Sequence, residues 1–334
     1  MSDIAPSPRD SLSLRQFNDT ISAVYRATPR ELRTLTRRGR QGAGAPLDAA
    51  PAPGELRLRL PARAPFDADG LFHFFAAHAI PGLEEGDETG FSRTLVLPGG
   101  RAQVRIAPDA DRPGVQVAAR LSVLSDAPAL VARVRRMFDL DADSAAIDES
   151  LAGDDALAPL VAAVPGIRIA GSPDGEEALF RTLIGQQISV AAARTVLGRL
   201  VSDLGDGAFP RAAVIAERGH EVLRGPAGRI ATVRGAARAI AAGDLPLGIE
   251  TPTDELRASL LALPGIGPWT AGYLAMSVLG APDILLADDL VVRHSAAARG
   301  LPATASALAR YGERWAPWRS YATAHLWRAR PLRT

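Results

Sequence analysis

The hydrophobic pattern of the chain changes once, near Asp141, and this change limits the folds open to it more than any other feature. Before it, apolar and polar residues alternate over Leu56–Leu60, Arg93–Leu97, Ala102–Ala107 and Val115–Leu124, as in strands with one buried face. After it, apolar residues recur at helical spacing, and glycine or proline separates most segments. The sequence therefore predicts the α+β class, with an antiparallel-sheet domain followed by an all-α domain.

These patterns divide the 334 residues into four parts. Residues 1–40 carry eight arginines against four acids, and residues 41–54 form a linker rich in glycine, alanine and proline. Residues 55–140 form the α+β domain, with about four antiparallel strands, and residues 141–334 form the all-α domain. The spacing predicts helices over Ala68–Ile80, Ala129–Phe138, Glu176–Leu204, Pro210–Glu217, Ala231–Ala242, Asp254–Leu263, Trp269–Leu279, Asp288–Ala298, Thr304–Tyr311 and Ser320–Arg328.

The composition excludes several kinds of chemistry. The chain has no cysteine, and all 38 residues counted as lysine or arginine are arginine. Without cysteine there is no disulfide framework, thiolate nucleophile or cysteine-held iron–sulfur cluster. Without lysine there is neither a Schiff base nor a P-loop lysine. The five histidines have no metal-ligand spacing with acids, so none is assigned a role.

Charge and hydropathy indicate a soluble protein. The net charge of +1 is too balanced to indicate nucleic-acid binding by itself. The stretch Ala258–Pro282 carries no charge, but Pro264, Gly265, Gly267 and Pro268 would break a membrane helix into two short pieces. Nothing at the N-terminus resembles a signal peptide. We expect a cytoplasmic protein with no membrane partner.

The segment Leu263–Ala271, Leu-Pro-Gly-Ile-Gly-Pro-Trp-Thr-Ala, has the pattern of a tight turn between two helices. Its two glycines are expected in conformations closed to other residues, and Pro268 suits the first turn of the second helix. Because glycine has no side chain, backbone amides at that helix N-terminus could contact a phosphate. The alternative is a turn whose glycines are only steric, and spacing alone favours neither.

Two adjacent acids, Asp288 and Asp289, follow the apolar run Ile284–Ala287. They indicate a helix N-terminus, at which one acid caps the helix and the other points elsewhere. Taken alone, this pattern favours two caps or surface acids over a catalytic group.

Together the hairpin and the acid pair resemble the helix–hairpin–helix DNA glycosylases, and more closely their AlkA-type 3-methyladenine DNA glycosylase II branch. The resemblance extends from about Leu56 to the C-terminus. It implies a phosphate-binding hairpin made of Gly265, Ile266, Gly267 and Thr270. No cofactor is implied except a structural monovalent cation at the hairpin backbone.

The resemblance assigns the catalytic role to Asp289, with Asp288 as its helix-capping neighbour. A carboxylate beside the sugar would stabilise the positive charge that develops as the N-glycosidic bond breaks, or would orient the attacking water. Bifunctional relatives carry a lysine immediately before the Thr-Ala of the hairpin, where this chain has Trp269. The implied reaction is therefore monofunctional and leaves an abasic site.

The resemblance also implies an aromatic base pocket. Trp269 and Tyr273 lie four residues apart on one helix face and would sandwich a flipped, electron-poor base. Without the family context, core packing is the preferred interpretation of either residue. The implied pocket residues are Trp269, Tyr273, Trp327 and Phe74.

A flipped base leaves a hole in the stack that a side chain must fill. The segment Leu183–Val190 resembles the wedge region of the family, and Gln187 stands at the wedge position, where the AlkA-type pattern has an apolar residue. Gln186 is the alternative wedge. A polar helix N-terminus that faces solvent is the other interpretation of this segment.

Residues Leu14–Arg33 resemble the last helix–turn–helix of AraC-type regulators, in which the helix with Arg15 and Asn18 would enter the major groove. A known fusion joins such a regulator to an AlkA-type glycosylase, and this chain resembles its C-terminal part. We therefore expect residues 1–40 to be a partial remnant that adds at most auxiliary DNA contacts. A vestige, a shortened product and a late gene start all fit.

The sequence thus predicts a monomeric, cytoplasmic and nucleoid-associated DNA glycosylase that acts on damaged double-stranded DNA. It would flip alkylated purines, such as 3-methyladenine and 7-methylguanine, into a cleft between helical subdomains and hydrolyse the N-glycosidic bond. One alternative is a glycosylase for deaminated or oxidised bases. The other is a non-catalytic DNA-binding module.

Overall fold

The computed structural model describes residues 55–329, so the helix–turn–helix resemblance in residues 1–40 and the linker 41–54 lie outside the described residues. The first part of the described chain is an antiparallel sheet with the strand order β1-β5-β4-β3-β2. Its strands are β1 Leu56–Pro61, β2 Glu84–Asp87, β3 Gly90–Leu97, β4 Gly100–Pro108 and β5 Gly114–Leu121. The α+β class is confirmed.

The prediction of about four strands is wrong by one, because β2 was not recognised. Its sequence, Glu-Glu-Gly-Asp, has no apolar residue that could alternate with polar ones. The strand is held by its pairing with β3, from Glu84 opposite Arg93 to Asp87 opposite Gly90. A polar edge strand of this kind leaves no periodic signal.

Two helices, α1 (Ala68–His78) and α2 (Ala127–Met137), pack on one face of the sheet. The alternating side chains of β1, with Leu58 among them, and the aromatic rings of Phe72 and Phe138 form the core between sheet and helices. The predicted alternation therefore describes this face correctly. The buried residues of α1 hold the helix on the sheet. Its other, partly exposed side therefore faces the helical part of the chain.

From Ser144 to Arg328 the described chain is helical, with no further strand. The prediction of one helix over Glu176–Leu204 is wrong, since two helices meet there at a break over residues 186–189. The helices are α3 Ser144–Leu151, α4 Ala158–Ala163, α5 Gly175–Gly185, α6 Val190–Leu204, α7 Ala212–Val222, α8 Ala227–Ala242, α9 Thr253–Leu261, α10 Pro268–Leu279, α11 Leu290–Ala297, α12 Ala305–Tyr311 and α13 Arg319–Arg328.

Helix α10 lies between the two hydrophobic cores of the helical part. Its residues Ala271 and Leu274 pack into the core formed with α5 to α9, whereas Met276 packs into the core formed with α3, α4 and α11 to α13. This double burial explains why the stretch around it carries no charge. None of the described helices is long and apolar enough to cross a membrane.

A buried cluster of four charges joins the sheet to the helical part. The guanidinium of Arg93 on β3 contacts the carboxylates of Glu84 and Glu177 at 2.6 and 2.7 Å. Arg181 on α5 contacts the same two carboxylates at 2.7 and 2.6 Å. The side chains of Arg93, Glu84 and Glu177 are only 3%, 1% and 4% exposed. Each charge thus has two opposite charges beside it, as burial requires.

Candidate active site

A cleft of about 570 Å³ lies where the sheet domain meets the helical part. Phe74 and His78 from α1, Trp269 and Tyr273 from α10, and Gln187 from the break between α5 and α6 are among its lining residues. We predicted a cleft between helical subdomains, and that prediction was incomplete. Because α1 packs beside the break, the sheet domain supplies part of the lining.

Trp269 and Tyr273 stack on each other, with ring centroids 5.3 Å apart and planes only 3° from parallel. Parallel rings whose centroids lie about 4.5–7 Å apart are in direct contact, so no space remains between these two for a base. The prediction that these two rings sandwich a base is therefore wrong, since they are already in contact. A base can stack only on the outer face of the pair.

Trp327 supports this pair without lining the cleft. Its ring meets Tyr273 edge to face at a centroid distance of 6.2 Å. Burial raises the pKa of Tyr273, so its hydroxyl stays protonated. Phe74 does line the cleft, as predicted, and the structure thus brings three of the four aromatic residues to the cleft.

Asp289 is the N-cap of α11 and uses its two carboxylate oxygens separately. Oδ1 accepts hydrogen bonds from the amides of Val291 and Val292 at 2.8 and 2.9 Å. Oδ2 accepts a hydrogen bond from the indole Nε1 of Trp269 at 2.8 Å. A carboxylate has about four lone-pair sites, so these donors leave capacity for a further contact. The side chain is partly exposed at the edge of the aromatic pair.

The assignment of the helix cap to Asp288 is wrong. Asp288 is exposed, and the cap is Asp289 itself. The two roles that the sequence pattern divides between neighbouring acids therefore belong to the two oxygens of one side chain. Capping fixes the rotamer of Asp289 and so fixes where Oδ2 lies.

In the hairpin only one glycine needs its special conformation. Gly265 has φ +85°, and a Cβ there would lie 2.2 Å from the hydroxyl oxygen of Thr232 on α8. Gly267 has φ −105°, which any residue can adopt, and a Cβ there would meet nothing within 4 Å. The expectation that both glycines are conformationally closed to other residues is wrong for Gly267, which instead leaves open space before α10.

The N-terminus of α10 presents free amides toward that open space. The first amides of a helix have no partner within it, which here applies to Trp269 and Thr270, while Pro268 has no N–H. The amide of Ile266 donates to Leu263 O at 3.2 Å, and its side chain is buried in the helical core. Ile266 therefore anchors the turn and does not offer its amide to a phosphate. The side chain of Thr270 is also buried.

The break between α5 and α6 separates the roles of two glutamines. Gln186 donates from Nε2 to the hydroxyl of Thr270 at 2.9 Å, which ties α5 to the start of α10. Gln187 is exposed, has φ +61° and lines the cleft. Of the two candidates for a wedge, only Gln187 has a side chain free to move into a neighbouring molecule. Gly185 and the cap residue Ser189 were the sequence signals for this break.

Sequence reasoning gave no role to His78, although it lines the cleft. Its spacing of four residues from Phe74 on a helix was the available signal, and the two rings stack at a centroid distance of 4.2 Å. Among the described residues, no group of three or more acids and histidines is placed to hold a metal ion.

Comparisons with known proteins give one consistent result. Residues 57–174 match the family model described as the AlkA N-terminal domain. A relative from Mycobacterium tuberculosis, named probable bifunctional transcriptional activator/DNA repair enzyme AlkA, is 41% identical over 94% of this chain, which spans 64% of that relative's length. DNA-3-methyladenine glycosylase 2 of Escherichia coli is 30% identical over 79% of this chain and 94% of its own length.

Solved structures show the same fold. The 3-methyladenine DNA glycosylase from Archaeoglobus fulgidus superposes with a TM-score of 0.70 at 21% identity, over 80% of this chain and 96% of that one. Schizosaccharomyces pombe Mag1, solved in complex with abasic DNA, has a TM-score of 0.51 at 27% identity, over 55% of this chain and 95% of that one.

Proposed function

Since the chain belongs to the family of AlkA-type 3-methyladenine DNA glycosylases, we propose that it is a monofunctional DNA glycosylase that removes alkylated purines. It would act as a cytoplasmic, nucleoid-associated monomer on damaged double-stranded DNA, flip the lesion and hydrolyse the N-glycosidic bond. The observation that carries the proposal is the Asp289 carboxylate, held by three hydrogen bonds beside the aromatic pair of the cleft.

The mechanism follows from the charge of Asp289. Breaking the N-glycosidic bond leaves positive charge on the sugar, and a fixed carboxylate stabilises that charge or orients the attacking water. Two amides at the start of α11 and the indole of Trp269 hold the carboxylate in place before the substrate arrives. An alkylated purine is already a good leaving group, so little acid catalysis is needed.

The flipped base would stack on the outer face of the Trp269–Tyr273 pair, with Phe74 at its edge. A purine that is methylated on a ring nitrogen carries positive charge, which strengthens its attraction to an aromatic face. Trp269 would thus contact the base and hold the catalytic carboxylate at once. Trp327 would support the ring of Tyr273 without touching the base, since it packs against Tyr273 outside the cleft.

The hairpin would hold a DNA phosphate through the amides of Gly267, Trp269 and Thr270, which donate to no backbone acceptor among the described residues, with the dipole of α10 behind them. A monovalent cation would bind beside the phosphate, because a hard cation takes oxygen ligands. The carbonyl oxygens of Pro264 and Gly265 accept no backbone hydrogen bond among the described residues. When bound, such a cation would supply positive charge between the hairpin and the phosphate. Gln187 would fill the space left by the flipped base.

The two hairpin glycines are expected to respond differently to alanine. Gly265→Ala should destabilise the protein by about 1–3 kcal/mol, because the new Cβ meets Thr232 at a strained φ. Gly267→Ala should leave stability within about 0.5 kcal/mol but weaken DNA binding about three- to tenfold by crowding the phosphate. Urea denaturation and fluorescence anisotropy with duplex DNA measure the two effects. Equal losses of stability would contradict the hairpin geometry.

The function is tested by incubating the protein with methylated duplex DNA and separating the released bases by chromatography. We expect free 3-methyladenine and 7-methylguanine, and an abasic strand that stays intact because no lysine is available for strand cleavage. A folded protein that binds DNA but releases no methylated base would reject the proposal. Release of hypoxanthine or an oxidised base instead would indicate a glycosylase for deaminated or oxidised bases. No release of any base would indicate a non-catalytic DNA-binding module.

A further inference from the structure

We propose that His78 selects the flipped base through its Nε2, which serves as a hydrogen-bond acceptor in the cleft for purines that present an N–H group. This inference rests on the proposed function, because it takes the cleft as the base pocket. It adds a specificity residue from the sheet domain, outside the hairpin and the acid that the family pattern marks.

The hydrogen bond at the other ring nitrogen fixes the tautomer of His78. Nδ1 lies 2.8 Å from the carbonyl oxygen of Phe74, and a carbonyl can only accept. Nδ1 must therefore carry the proton. In the neutral ring Nε2 then has a lone pair and no hydrogen, so it accepts and does not donate.

Its surroundings keep the ring neutral. Burial lowers the pKa of His78, and the charges of Arg181 and Arg194 lower it further. Both arginines are close, since Arg181 donates to the backbone oxygen of His78 at 2.8 Å and Arg194 donates to that of Ala79 at 2.7 Å. The hydrogen bond from Nδ1 to the Phe74 oxygen and the charge of Glu84 act in the opposite direction, but the net shift of the pKa is downward, and Glu84 is itself bound by Arg181.

The ring is also held in place. Its face stacks on Phe74 at 4.2 Å, and its Nδ1 bond prevents rotation. Among the described residues Nε2 has no hydrogen-bond partner, and it is not one of the buried polar atoms left without one. It is therefore open to solvent in a residue that lines the cleft. A fixed acceptor of this kind loses little conformational entropy when a donor binds.

This acceptor predicts which bases the cleft prefers. The exocyclic amino group of 3-methyladenine and the N–H groups of 7-methylguanine can donate to it, and a cationic base donates more strongly than a neutral one. A purine whose amino group is fully alkylated has no hydrogen to give and leaves Nε2 unpaired. His78 should therefore favour the first class by about tenfold.

The test measures binding of two free bases, 3-methyladenine and its N6,N6-dimethyl derivative, by quenching of tryptophan fluorescence in the full protein. The parent should bind 3-methyladenine about tenfold more tightly than the derivative. His78→Phe keeps the ring that stacks on Phe74 and should lose this preference, whereas His78→Gln keeps an acceptor and should retain part of it. His73→Phe, an exposed histidine on the same helix, is the matched control and should change nothing.

A preference that survives in His78→Phe overturns the inference, as does a parent that binds both bases equally or neither. The proposed function is judged separately by base release from DNA. A parent that shows the preference but releases no base would reject the function alone. A parent that releases 3-methyladenine at the same rate as folded His78→Phe would reject the inference alone.

Discussion

Asp289→Asn is expected to slow base release by about 10²–10³-fold while DNA affinity stays within a factor of about two. The amide has no negative charge with which to stabilise the sugar in the transition state. Its oxygen can still accept from the amides of Val291 and Val292, so the cap of α11 and the fold should be kept. Single-turnover release of 3-methyladenine and anisotropy with duplex DNA measure the two quantities.

The exposed neighbour provides the control for this prediction. Asp288→Asn makes the same chemical change one residue away, where the side chain caps nothing, and should leave the rate unchanged. An equal loss of base-release rate in both variants would show that the rate depends on the overall charge of the segment and not on Asp289 in particular. An Asp289→Asn protein as active as the parent would remove Asp289 from the mechanism.

Glu177→Ala is expected to destabilise the protein by about 3–5 kcal/mol, the cost of removing one partner from a buried ion pair. The substitution leaves Arg93 and Arg181 with one carboxylate, Glu84, in place of two. These charges join β2 and β3 to α5, so the substitution should weaken the contact between the sheet and the helices and lower the free energy of unfolding. The midpoint of urea denaturation measures it.

An exposed ion pair gives the matched comparison. Glu221→Ala removes the carboxylate that Arg218 contacts at 2.9 Å on the surface of α7, and should destabilise the protein far less than Glu177→Ala, because solvent screens an exposed ion pair. If Glu177→Ala does not fold, Glu177→Gln keeps the hydrogen-bond acceptor and should be less destabilised. Equal costs at positions 177 and 221 would show that burial does not govern the cluster.

The sequence predicted the elements that carry strong local patterns. The hairpin at Gly265, the acid at Asp289 and the alternating strands all depend on spacing, and the structure has each where it was expected. Strand β2 was missed because its stability comes from pairing with β3 and not from its own residues. Local signals therefore predicted most of the elements in order, but not strand β2, helices α3 and α4, or the division of α5 from α6.

The finer geometry depended on contacts between distant residues. Nothing in the sequence shows that Trp269 and Tyr273 stack on each other, or that Trp269 donates to Asp289 twenty positions later. The break at Gln187 was missed because apolar residues continue at helical spacing on both sides of it, a stronger pattern than the signals from Gly185 and Ser189. His78 was passed over because its role depends on which helix packs at the cleft.

Helix α10 also sets a fixed distance between the two contacts proposed for DNA, one with a phosphate and one with the flipped base. Its first turn offers the amides of Trp269 and Thr270, and the ring of Tyr273 follows about 6 Å further along the axis. A rigid helix cannot change this interval, so in the proposed complex the phosphate bound at the hairpin would determine which nucleotide reaches the aromatic face. One inserted residue after Thr270 would rotate that face by about 100° and separate the two events. In the proposed complex, the contact with the DNA backbone would thus select the nucleotide before the cleft contacts its base.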